Sequence, residues 1–132
     1  MTAQHHPVGE PLSLAVQVRQ VEAALQAALA DLLAEHRLGM EHWRILAVVG
    51  DEPGLGMSEV AQRAVVAQAS LTRHTDRLVE IGLVVRRADP LDKRRVVVAL
   101  SPRGQEYVDR VVAAERAALL PLPEVAEFVL GR

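Results

Sequence analysis

Residues 70–104, SLTRHTDRLVEIGLVVRRADPLDKRRVVVALSPRG, change hydrophobic period twice. At about 100° per residue, Leu71, His74, Thr75, Leu78 and Gly82 share one side of a helix. Ala69, Ser70, Arg73, Asp76, Arg77 and Glu80 share the other. The pattern then alternates: LVVRRA (83–88) and RVVVAL (95–100) are β-branched runs, read as two strands of a hairpin with a charged tip at 89–94. Ser101-Pro102 returns the chain to a helix, with Ser101 as N-cap and Pro102 at the first helical position.

Working upstream, MSEVAQRA (57–64) gives a short helix over 58–64 that Ser58 can cap. A short connection leads into a helix over 68–81 that stops at Gly82. A short helix closely followed by a second is a helix-turn-helix, and the hairpin after it is a wing. EHWRILAVVG (41–50) reads as a buried helix, and DEPGLG (51–56) as a loop. Residues 12–36 lack Pro and Gly, and Leu14, Val18, Val21, Leu25, Ala28 and Leu32 recur in alternating steps of four and three. Leu29 and Leu33 widen that stripe, and Gly39 is the expected C-terminal cap. So long an apolar helix needs more partner surface than one small lobe offers, which points to a second subunit. Downstream, Tyr107, Val108, Val111, Val112, Ala118 and Leu119 form a stripe on a helix that Pro121 and Pro123 end. A last short helix is expected over 124–130, and residues 1–11 read as a flexible tail.

The expected fold is mostly α, of α+β class: a winged helix-turn-helix with a two-stranded β wing. Residues 12–132 form one domain, with helices at 12–36 and 102–132 flanking a central lobe at 41–101.

The whole chain has 132 residues, half of them hydrophobic, which excludes an intrinsically disordered protein. Its three aromatics, Trp43, Tyr107 and Phe128, are too few for a single-strand stacking platform. With no cysteine there is no disulfide, thiolate metal site or thiol switch. No signal peptide or membrane-length apolar run is visible, so a cytoplasmic protein is expected. The net charge of −2 conceals a division. Residues 63–103 hold nine basic and four acidic side chains, a balance of +5, and the remainder carries −7.

That basic centre fits double-stranded DNA. The N-terminal turns of a second helix meet base edges in the major groove, here residues 68–77, from Gln68 through Ser70 and Arg73 to Arg77. Arg pairs with guanine, and Ser bonds to bases or phosphates. Lys93, Arg94 and Arg95 repel one another at a tip with no core to serve, and an Arg there can enter a narrow minor groove. Asp92 is placed to hold Arg94 by a bidentate pair.

Trp43 to Gly104 resembles the winged helix-turn-helix of MarR-type transcriptional regulators. The resemblance rests on HWRIL (42–46), MSEVAQRA (57–64), SLTRHTDRLVEIGLVVRRADP (70–90), LDKRR (91–95) and VVVALSPRG (96–104). It implies a homodimer, joined through its N- and C-terminal helices, on a pseudo-palindromic operator. It places Ser70, Thr72 and Arg73 at the major groove, Arg94 with its supporting Asp92 at the minor groove, and Ser58, Arg86 and Lys93 near phosphates. It also implies a small aromatic or anionic effector between the dimer helices and the lobe, where Arg19, His36, His42 and Trp43 could border a cleft. Trp43 reads first of all as the largest core side chain. Ala67 departs from the family's Ser-like cap, and His74 from its usual apolar residue.

Other classes fare worse. No histidine pair has the spacing of a helical metal site, and no cofactor is expected, although a metal-responsive regulator is one alternative. A protein-interaction scaffold is another, but it would not need Arg73 and Arg94 exposed together. For an enzyme, Ser70 and His74 face opposite sides of their helix, and nothing resembles an oxyanion hole.

Overall fold

Ser13 opens the first helix: its Oγ accepts the Val16 N–H at 3.4 Å. The computed structural model describes residues 13–119, so the tail at 1–11, the chain beyond 119 and the short helix at 124–130 lie outside the described residues. The elements are α1 (Leu14–Ala34), α2 (Met40–Asp51), α3 (Met57–Ala64), α4 (Gln68–Glu80), β1 (Val84–Ala88), β2 (Val96–Leu100) and α5 (Pro102–Leu119). This is the winged helix-turn-helix expected from the periodicity.

Two caps differ from expectation. Glu35 ends α1, and Arg37 takes the left-handed turn with φ 57°. Gly39 instead sits before α2 in extended backbone, because its N–H is needed by His42 Nδ1, 3.0 Å away. Gly56 rather than Ser58 precedes α3, since Gly56 also bridges to Val97 and thereby hangs α3 on the wing. Ser58 is the second residue of α3 and exposed.

The strands pair antiparallel from Val84 opposite Leu100 to Ala88 opposite Val96. Each starts one residue later than expected. Leu83 N–H is taken by Leu78 O at 3.0 Å, closing α4 through Gly82 at φ 80°. Arg95 N–H is taken by Asp92 O at 2.9 Å, inside the tip turn.

The helix α1 lies against α5. Its burial falls on Val21, Leu29 and Leu33, with Leu25 and Leu32 half-buried and Ala28 exposed. Within one chain α1 packs on α5 and α2, and this burial follows the helical period of about 3.6. Leu14, Val16 and Val18 stay exposed. One core runs from Leu29 through Trp43, Leu46, Leu71 and Leu78 to Val98, Tyr107 and Val111, each large side chain contributing about 2 kcal/mol. Among the described residues no helix is long and apolar enough to cross a membrane.

Candidate nucleic-acid interface

Recognition-type chemistry on α4 begins at its N-terminus. Ala67 is the N-cap and supplies no side-chain bond, as its sequence implied. Gln68, Thr72 and Arg73 are exposed and Ser70 is half-buried. These four lie on the first two turns, where orphan backbone N–H groups and a positive helix end favour anions. Leu71, Thr75 and Leu78 anchor the opposite face.

Arg77 does not belong with them. It is half-buried, and its guanidinium donates to the His36 carbonyl at 3.0 Å, fixing α4 to the turn after α1. The helical wheel placed it outward, but a long side chain can reach across to a carbonyl that folding brings beside its helix. Arg86 is likewise engaged: it pairs with Asp76, tying β1 to α4. Its expected place near a phosphate now competes with that bridge.

At the wing tip, Lys93 is exposed and the Arg94 side chain is 94% exposed. Asp92 supports Arg94 differently from the bidentate pair expected. Its Oδ1 accepts the Arg94 backbone N–H at 3.1 Å and lies 3.4 Å from Nε, so the carboxylate shapes the turn and only grazes the guanidinium. Arg95 turns away and pairs with Glu59 on α3. Two ion pairs, Arg86–Asp76 and Arg95–Glu59, therefore reinforce the Gly56–Val97 bridge in fastening the wing to the helix-turn-helix.

The four residues expected around an effector are not brought together. Arg19 pairs with Glu22 one turn further along α1, at 3.2 Å, and its side chain is largely exposed. His36 packs edge-on against Tyr107, with ring centroids 4.9 Å apart. His42 meets His74, with centroids 4.5 Å apart. Trp43 alone borders the main groove, about 660 Å³, with Val18, Leu25, Met40, Val65, Arg44, Glu22 and Glu115. Trp43 is both core and lining: it is 2% exposed, and its indole N–H donates to Glu115 at 2.9 Å.

Sequence reasoning missed Arg44, whose Nε–H donates to Ala64 O at 2.9 Å and so pins the end of α3 from α2. Its signal was available: it is the one charged residue inside the apolar run 43–49. Glu115 left no comparable signal, being 72 residues from its partner.

A sequence profile of the MarR family matches residues 38–95, from the turn before α2 to the wing's Arg95. Over that stretch, a little under half of its length, the chain is similar to MarR-family regulators. It is similar to curated transcriptional regulators. It is 28% identical to the homoprotocatechuate degradative operon repressor of Escherichia coli over 98 residues, 74% of this chain and 66% of that repressor. The match thus spans just under two-thirds of the repressor. It is 29% identical to the transcriptional regulator HosA of Escherichia coli O111:H- over 114 residues, 79% of this chain and 78% of HosA. Among solved structures, NadR in complex with 4-hydroxyphenylacetate is 26% identical, with a TM-score of 0.73, covering 100% of this chain and 88% of that one. Apo MarR from E. coli, 24% identical with a TM-score of 0.73 over 92% of this chain and 97% of that one, shares the fold.

Proposed function

We propose that this chain regulates transcription, as a repressor, by binding a pseudo-palindromic duplex operator as a homodimer, and that a small aromatic effector releases it. One observation carries the DNA reading: Thr72 and Arg73 are exposed on the leading turns of a core-anchored helix, while Arg94 is exposed at the tip of a wing fastened to the same lobe. Folding has no use for that arrangement, and duplex grooves do. Arg73 suits guanine in a major groove and Arg94 a narrow minor groove.

Exposed Leu14, Val16 and Val18 continue α1 beyond its contact with α5 and supply apolar surface for a second copy. The groove beside Trp43 is mostly apolar, which fits an aromatic ring. The aromatic carboxylate bound by NadR supports that ligand class. Two half-sites about 10 bp apart follow from the two-fold axis.

In-vitro selection from randomised duplexes tests the proposal. Enrichment of a two-fold symmetric site, lost with Arg73→Ala, is expected. Recovery of no enriched duplex from a folded dimer would overturn it. Sedimentation at micromolar concentration checks the dimer, and a folded monomer would remove the two-fold operator.

A further inference from the structure

His74 occupies the inward side of α4, where its side chain is only 12% exposed, a place an aliphatic residue could fill. What it does there is set by a chain of three hydrogen bonds. Gly39 N–H can only donate, so His42 Nδ1, 3.0 Å away, accepts. A neutral His42 then carries its hydrogen on Nε2 and donates it to His74 Nδ1 at 3.1 Å. His74 in turn carries its hydrogen on Nε2 and donates it to Glu41 at 2.6 Å. Each ring nitrogen is used once. The chain leaves the start of α2, crosses to the recognition helix and returns to α2.

This arrangement holds only while both rings are neutral, because an imidazolium has two donors and no acceptor. A proton on His42 sets an N–H against the Gly39 N–H. A proton on His74 sets an N–H against His42 Nε2–H, or forces His42 into the other tautomer and recreates the conflict at Gly39. Wherever the proton lands, one link fails. The surrounding charges come from three helices. Glu22 on α1 and Glu41 on α2 draw a proton in, and Arg44 on α2 with Arg73 and Arg77 on α4 resist it. Burial, and then the facing His74 ring, hold His42 below the ordinary imidazole value.

We propose that His74 is a positioning residue for the recognition helix, and that its neutral bond to His42 latches α4 to α2 and is released by protonation. The consequence for DNA rests on the function proposed above. Releasing α4 at its middle turn loosens Arg73, one residue away, so duplex affinity falls on acidification. The sign is diagnostic, since acidification otherwise makes a protein more positive and tightens its hold on phosphates.

Two measurements on the full chain test this. Nitrogen-15 imidazole spectra at neutral pH should show both His42 and His74 protonated on Nε2 only, and the two signals should disappear together on acidification. Anisotropy with a selected duplex should show wild-type affinity falling about fivefold between about pH 7 and pH 5, the worth of one lost hydrogen bond. His74→Leu should abolish that fall. Should His74→Leu not fold, the spectra of the wild type still decide. His74 carrying its hydrogen on Nδ1 at neutral pH, or affinity rising equally in wild type and His74→Leu, overturns the latch. A wild type that binds no duplex at any pH overturns the proposed function instead, and leaves the spectra to judge the latch.

Discussion

Arg95 reaches from the residue before β2 back to Glu59 on α3, whereas the side chain of Arg94, its neighbour, is 94% exposed. Two adjacent arginines at one hairpin tip thus do different things. Arg95, also within 3.9 Å of Asp89, belongs to the joint between wing and helix-turn-helix. Arg94 belongs to whatever the wing meets. The close approach of Arg95 to Gly56, where an added Cβ would lie 2.7 Å from its guanidinium, locates that joint at the start of α3.

Substitutions should separate the two roles. Arg94→Ala is expected to weaken operator binding by about 1–3 kcal/mol and to reduce the salt slope by about one. Arg95→Ala and Glu59→Ala are half-exposed partners, so each should cost under about 1 kcal/mol of stability. Their double variant should cost less than the sum, because either single change already breaks the pair. Filter binding at several salt concentrations and urea unfolding measure these. An Arg94→Ala protein with wild-type affinity and salt slope would remove the wing tip from the interface.

Thr75 is 1% exposed on the inward face of α4, and its Oγ1 has no hydrogen-bond partner among the described residues. A buried, unpaired hydroxyl costs about 1–3 kcal/mol, and Val has nearly the same shape without it. Thr75→Val should therefore raise stability by about 1 kcal/mol, read as a higher urea midpoint at unchanged slope. A loss of that size would mean that the hydroxyl has found a partner.

Tyr107 on α5 donates its hydroxyl to Leu32 O at 2.8 Å, clamping α5 to α1. Tyr107→Phe strands that carbonyl and should cost about 1 kcal/mol. Burial, reinforced by Glu35 and opposed by Arg110, pushes the phenol up to about 12. The folded value lies above the unfolded one, so the folded state favours the neutral phenol. Its contribution is whole below about pH 10 and is lost as pH rises toward the folded value. The stability gap between wild type and Tyr107→Phe should be constant from about pH 7 to 9 and narrow above it. A gap that widens in alkali would contradict this.

The wing and its return helix were legible because their signals are local. Ser101 caps α5 through Gly104 N–H at 3.0 Å, and Gly104 is glycine because a Cβ would sit 1.9 Å from Leu83 O. The LSPRG run thus records a backbone packed on a helix start. The exposed cations on α4 and the tip were legible for the same reason, as side chains with no core to serve. The folded partners of Arg77, Arg86 and Arg95 were not legible, because a sequence shows charge but not the carbonyl or carboxylate that folding brings within reach. The groove was the least legible feature. Its lining comes from α1, α2, α5 and the turn after α3, and no periodicity reports which faces of three helices converge.

That groove has a built-in reporter. Trp43 is the single tryptophan of the chain, and its indole N–H is bound to Glu115 at 2.9 Å on the groove wall. A ligand ring entering beside Val18, Leu25 and Met40 must disturb that contact, so saturable change in tryptophan emission is expected with 4-methylphenol. The charge of the wall sets the order of ligands. Glu22 and Glu115 are both acidic, and the Arg44 guanidinium is drawn toward Ala64 O and Val65 O. An anionic ring such as 4-hydroxyphenylacetate should therefore bind more weakly than the neutral one. Glu115→Gln keeps an oxygen for the indole while removing a charge, and should tighten the anionic ligand by about 1 kcal/mol with little effect on the neutral one. Emission unaltered by either ligand, in both proteins, would mean that the groove is not the effector site.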